Sequence, residues 1–202
     1  MNDLLASNNV VDAPSGNTSG NAQEYRSLIV YTFLALFVAL FVRIYIAAPY
    51  LVSGASMDPS FETLDYLVID RVSYRLEDPV RGDVIVFKYP HDPSRSFIKR
   101  IIGLPGETVV LQGETVLVRN AEHPEGFILS EPYIAAQNTR PTEMTMQLKE
   151  DQYFVMGDNR RASADSRTWG ALPKQNIVGR ALVRLFPFNE IDLLPGEATY
   201  QE

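Results

Sequence analysis

Polar and apolar positions divide the chain into three unequal stretches. Residues 1–24 are rich in Asn, Ser and Gly, with too few large apolar side chains to offset the entropy of ordering them. A disordered tail over residues 1–26 is expected. From Ser27 to Val42 no residue is charged, and the run resumes after Arg43 as far as Ala48. At ~1.5 Å per residue the 22 positions of 27–48 span roughly 33 Å as a helix, enough to cross a bilayer core. The pattern predicts a transmembrane anchor over 27–48, its helix running from about Leu28 to Ala48, with Pro49 as the stop. Arg43 is placed to snorkel toward headgroups, and Tyr31, Tyr45 and Tyr50 suit the two interfaces.

Two blander readings fit less well. A cleaved signal peptide has a shorter apolar core and a basic leader, whereas the leader here is acidic. A buried soluble helix would carry some polar face. Arg26 precedes the span and no Lys or Arg lies between Pro49 and Asp70; this small asymmetry, weakened by Arg43, leans slightly toward an N-terminus inside.

Beyond Pro49 the pattern changes to short apolar runs between turn residues. Tyr66–Ile69, Asp83–Tyr89, Phe97–Ile102, Tyr153–Met156 and Ile177–Phe186 read as strands. Val109–Leu111 and Thr115–Val118 flank Gln112-Gly113-Glu114 as a hairpin. No helical pattern of 10 to 15 residues intervenes, so βαβ units are not expected. The fold class is mostly β: an N-terminal transmembrane helix followed by an antiparallel β-sheet domain over 49–202. Residues 107–150 form an inserted subregion, irregular from about Ala121 to Lys149.

Composition narrows the chemistry. A net charge of -7 with no basic block argues against nucleic acid as a partner. Zero cysteines exclude disulfides, zinc–thiolate sites and iron–sulfur clusters, and only two histidines are present. No metal site and no cofactor are expected.

Two segments carry the candidate chemistry. In Ser53-Gly54-Ala55-Ser56-Met57-Asp58-Pro59, small residues around Ser56 let a substrate backbone approach and leave backbone N–H groups free for an oxyanion. A turn serine beside Gly and Pro is most often only a solvated turn. Lys99 changes that balance, because it lies among Phe97, Ile98, Ile101 and Ile102, where desolvation favours the neutral amine. A neutral amine can act as general base for a serine hydroxyl. Arg100 is expected to face solvent on the opposite side of the strand. The alternative for Lys99 is an edge-strand lysine that discourages aggregation. Ser96-Phe97-Ile98-Lys99 also matches S-x-x-K, but that pairing needs a helix, and a strand sends the two side chains to opposite faces. A third segment, Met156 to Gly170, is a polar loop that needs internal ion pairs, for which Asp165–Arg167 and Asp158–Arg160 are the natural partners.

Together the three segments, over roughly Tyr31 to Phe186, resemble bacterial type I signal peptidases, the membrane-anchored leader peptidases. The resemblance rests on S-G-x-S-M-x-P, K-R-x-x-G-L-P-G and G-D-N-R-x-x-S-x-D-S-R, in that order. It implies a serine endopeptidase that removes N-terminal signal peptides from translocated preproteins after small residues (A-x-A). Ser56 would be the nucleophile and Lys99 the general base. Ser163 would orient the lysine, with Asp165, Arg167 and Asp158 in support. Val52, Met57, Phe61, Phe97 and Ile98 would line shallow substrate pockets. Some members carry a serine two positions before the nucleophile. Gly54 stands there in this chain, leaving the Ser56 N–H, with Ser53 nearby, for the oxyanion.

The resemblance also implies preproteins and membrane lipid as partners and proximity to the protein-translocation machinery. It implies a single-pass protein with the catalytic domain on the outer (periplasmic or luminal) face. Self-cleaving Ser-Lys repressors carry a DNA-binding helical domain that this chain lacks. A catalytically silent membrane-anchored binder of secreted chains would be expected to lose Ser56 or Lys99, and both are present.

Overall fold

The computed structural model describes residues 18–198 and 200. Most of the expected tail, residues 1–17, therefore lies outside the described residues, while Thr18 to Arg26 are already helical. Two units are distinguished, residues 1–41 and 42–202.

The first unit contains α1 (Thr18–Phe41), whose 24 residues span ~36 Å. Its large apolar side chains are exposed all round, from 47% at Phe41 to 70% at Phe33. A helix whose apolar side chains are exposed on every side is suited to lipid. It is the one helix among the described residues long and apolar enough to cross a membrane. Its end differs from the expected Ala48. A π-helical turn covers Val42–Ile46, and the chain then enters β1 (Ala47–Leu51). Ala47 and Ala48 sit opposite Asp70 and Ile69 in a ladder, and pairing with a neighbouring strand wins over continuing the helix.

The second unit continues through β2 (Tyr66–Asp70), β3 (Val84–Tyr89) and β4 (Asp92–Gly103). An inserted set follows: β5 (Thr108–Gly113), β6 (Thr115–Arg119), β7 (Phe127–Ile128) and β8 (Thr142–Gln147). The chain returns as β9 (Gln152–Met156), the short α2 (Ser166–Trp169), β10 (Leu172–Pro173), β11 (Ile177–Phe186) and β12 (Asp192–Leu193). Every pairing is antiparallel. The larger sheet runs β1-β2-β11-β3-β4-β9-β10 with β12 on β11, and the smaller runs β7-β6-β5-β8.

The insertion is thus more ordered than expected between Ala121 and Lys149. In β8 inner and outer residues alternate, and Met144 and Met146 pack on a core formed by Ile102, Val109, Leu111, Val116, Val118 and Phe154. The β5–β6 hairpin forms as expected, with Gln112 opposite Thr115 and Gly113 at φ +62°, where a side chain would be strained.

β4 lies between β3 and β9, and its second half is covered on both faces. Arg100 is accordingly 0% exposed and does not face solvent as the sequence led one to expect. Its Nε and Nη2 donate to Asp158 Oδ1 and Oδ2 at 2.9 and 2.6 Å. Nη1 donates to the Gly82 carbonyl at 3.0 Å and to that of Gly196, and the guanidinium stacks 3.9 Å from the Tyr133 ring. Asp158 therefore does not pair with Arg160, which is bound instead to Glu131. Planar, bidentate pairing satisfies the buried charges on both sides.

Asp158→Asn removes one charge and leaves the Arg100 guanidinium buried without its counterion. It should destabilise the protein by about 3–5 kcal/mol in denaturant unfolding, whereas an unchanged midpoint would show that the pair carries no stability.

Candidate active site

The turn after β1 presents Ser56 because its flanks are pinned in the core. Met57 and Phe61 are 1% and 0% exposed, packed with Val52, Leu67, Ile69 and Val84. Gly54 reverses the chain at φ +98°, a conformation that disfavours a side chain there. The Gly54 N–H donates to Thr63 Oγ1 at 3.1 Å. Ser56 itself is half-buried, and its carbonyl accepts from the Asn159 N–H at 3.1 Å. Among the described residues its own N–H donates to no protein acceptor, so it remains available to a ligand oxygen.

Lys99 reaches the same point from the middle of β4, opposite Ile85 of β3. It is 3% exposed. Its Nζ lies 2.6 Å from Ser56 Oγ and donates to the Ile98 carbonyl at 2.6 Å. Burial pushes the amine down from 10.5 to about 8, against the opposing pull of Asp165 and Asp158. An amine with that poise, within hydrogen-bond reach of a hydroxyl, can take the hydroxyl proton near neutral to mildly alkaline pH.

The loop after β9 closes over the pair. Any side chain at Gly157 would meet the Ser56 carbonyl at 2.3 Å and Ser163 Oγ at 2.4 Å, so only glycine permits this approach. Asp165 is 0% exposed and caps α2 by accepting from the Arg167 N–H. Arg167 Nε and Nη2 donate to its two carboxylate oxygens at 2.8 Å each, and the Gly157 N–H donates at 3.1 Å. Burial pushes that carboxyl up, but the Arg167 bonds and charge, with Ser163 and Gly157, outweigh it and hold Asp165 below the usual carboxylate range. Ser163 is 6% exposed, and its Oγ has no partner at hydrogen-bond geometry although it lies close enough to Asp165 to help hold it down. The lysine amine contacts Ser56 and the Ile98 carbonyl instead.

A cleft of about 490 Å³, open to solvent, lies over Ser56 and Lys99. Of the five residues named for substrate pockets, Val52, Phe97 and Ile98 line this cleft, whereas Met57 and Phe61 lie in the core. Leu67 and Val86 add to the apolar wall, and Tyr50, Leu51, Ser53 and Ser96 complete the rim. The apolar runs of β2 and β3 were visible in the sequence, but nothing local distinguishes Leu67 and Val86 from other core positions. Among the described residues no group of three His, Asp or Glu is placed to hold a metal.

Lys99→Met tests the cost of the buried amine. With a folded-state pKa near 8 and an unfolded one near 10.5, both states hold the proton below pH 8, and the folded state bears the whole penalty there. At about 1.4 kcal/mol per unit that is roughly 3 kcal/mol. Lys99→Met should therefore be more stable than the parent at pH 7 in denaturant unfolding, with the gap closing as pH rises from about 8 toward 10.5. A less stable variant at pH 7 would contradict a desolvated lysine.

Comparison with known proteins agrees with this geometry. The family model described as "Signal peptidase, peptidase S26" matches residues 25–186. The chain is 38% identical over 170 residues to a probable signal peptidase I-2 of Synechocystis sp., covering 81% of this chain and 74% of that one. It is 39% identical over 176 residues to signal peptidase I of Leptolyngbya laminosa, covering 83% and 82%. A probable signal peptidase I-1 of Synechocystis sp. is 41% identical over 172 residues, covering 82% and 84%. By this match and by the motifs that the structure draws together, the chain belongs to the signal peptidase family, peptidase S26.

Proposed function

We propose that this protein is a membrane-anchored endopeptidase that removes N-terminal signal peptides from preproteins, with Ser56 as nucleophile and Lys99 as general base. The observation that carries the reading is the 2.6 Å separation of Lys99 Nζ from Ser56 Oγ around an amine only 3% exposed. Neutral Lys99 takes the hydroxyl proton as Ser56 attacks the scissile carbonyl. The unpartnered Ser56 N–H faces the developing oxyanion. The resulting ammonium then protonates the leaving amine, and a water activated by the same amine releases the acyl group. The shallow apolar wall of Val52, Phe97 and Ile98 favours small substrate residues before the cut, where large ones clash.

The anchor helix α1 and the side of the membrane follow from the same reading. The N-terminus is cytoplasmic and the body lies on the outer face, where signal-peptide junctions emerge, beside lipid and the translocation machinery. Protease added to right-side-out vesicles should digest the body, and its protection would reverse the topology.

Cleavage of a preprotein by the purified chain tests the chemistry. Ser56→Ala, Lys99→Ala and Lys99→Arg should each lose activity by roughly 10⁴-fold or more. Arg keeps the charge but stays protonated and supplies no base. Activity of the parent should rise with pH along a limb near 8, because only the neutral amine accepts the proton. Substantial cleavage by Lys99→Arg would place the base elsewhere.

A further inference from the structure

We propose that Asn138, in the inserted region, is a positioning residue for the reaction: it braces the turn that carries Ser56. The inference rests on the roles proposed above for Ser56 and Lys99. Asn138 closes a 3-10 turn, Ala136–Asn138, and is 7% exposed. Its Nδ2 donates to the Asp58 carbonyl at 3.0 Å across 80 residues of chain. Its own backbone carbonyl accepts from the Arg161 N–H at 3.2 Å, and Arg161 Nη1 donates to the Gln137 carbonyl at 3.3 Å. One buried residue thus ties the Ser56 turn through its side chain and the 157–170 loop through its backbone.

The turn needs that tie. Its internal Asp58 N–H to Ala55 carbonyl bond is long at 3.4 Å, and Gly54 adds conformational freedom at its entry. External bonds instead hold the carbonyls on either side of buried Met57: Ser56 O by the Asn159 N–H and Asp58 O by Asn138. With both peptide planes fixed, the Ser56 side chain has a defined direction toward Lys99. The chemistry also selects the residue type. The Asp58 carbonyl is an acceptor and requires a donor, which the asparagine amide supplies and an isosteric carboxylate does not.

Among the described residues the hydrogen bonds of Asn138 go to Asp58, Ala135 and Arg161, and none goes to the groups that face Lys99, namely Ser56 Oγ, the Ile98 carbonyl, the Phe97 ring, Asp158 and Asp165. Loosening the brace should therefore misplace the hydroxyl without altering the titration of the amine. That separates positioning from a change in the base.

The test compares the detergent-solubilised full chain with Asn138→Ala, Asn138→Asp and Asn138→Gln on a signal-peptide-bearing preprotein, with thermal unfolding measured in parallel. Misplacement by about 1 Å is worth on the order of 10²-fold in rate. Asn138→Ala and Asn138→Asp should lower kcat by that order, with KM within about twofold and the alkaline limb at the parent's pH. Asn138→Gln, which retains the donor, should recover part of the loss. Parent kcat in Asn138→Ala would overturn the proposal, as would a loss that tracks the unfolded fraction and vanishes at a temperature where the variant is folded. A parent that does not cleave brings down both readings, whereas a cleaving parent with an unaffected Asn138→Ala brings down this one alone.

Discussion

A lysine amine buried in a desolvated site is the constraint around which the body of this protein is arranged. Burial alone lowers Lys99, but Asp158 and Asp165 lie close enough to pull it back up. Each of these carboxylates is held by an arginine, Arg100 and Arg167. The same solution recurs away from the site, where Glu107 is bound by Arg81 and Glu131 by Arg160. The chain has 14 arginines and 4 lysines. Guanidinium stays charged at alkaline pH, so these carboxylates remain compensated in the range where Lys99 has lost its proton.

The topology brings these groups together from distant parts of the sequence. β1 delivers the Ser56 turn, β4 carries Lys99 and Arg100 on opposite faces, and β9 leads into the loop that supplies Asp158 and Asp165. Because the second half of β4 is buried on both faces, a charged residue there must find its partner inside the protein. The inserted region is part of this frame. Its segment between β7 and β8 contributes Glu131 to Arg160, the Tyr133 ring to Arg100 and the Asn138 amide to the Ser56 turn.

What was legible in the sequence was local. The apolar run over residues 177–186 is β11 residue for residue, and the Gln112-Gly113-Glu114 signal marks the observed hairpin. Ser56 and Lys99 stood out because a polar residue in apolar surroundings is itself a local pattern, and the structure brings them within 2.6 Å. What failed depended on long-range partners. Arg100 was assigned to solvent by strand alternation, which holds only where one face of a sheet is wet. Asp158 was paired with its sequence neighbour Arg160, while its counterion lies 58 residues away. The alternation in Thr142–Gln147 was present but lay among prolines and polar residues, so the segment read as irregular. Met57 and Phe61 shared the apolar character of the cleft lining, yet packing sends them into the core.

The central claim is that burial lowers the Lys99 amine far enough for the proposed role as base, and titrating that amine measures it directly. With 4 lysines in the chain, carbon-13 labelling of the lysine ε-methylenes gives a spectrum in which Lys99 is assigned by its loss in Lys99→Met. The account predicts a midpoint of about 8 for this signal in the folded protein. A midpoint near 10.5 would mean an amine that burial has not lowered and would contradict the account.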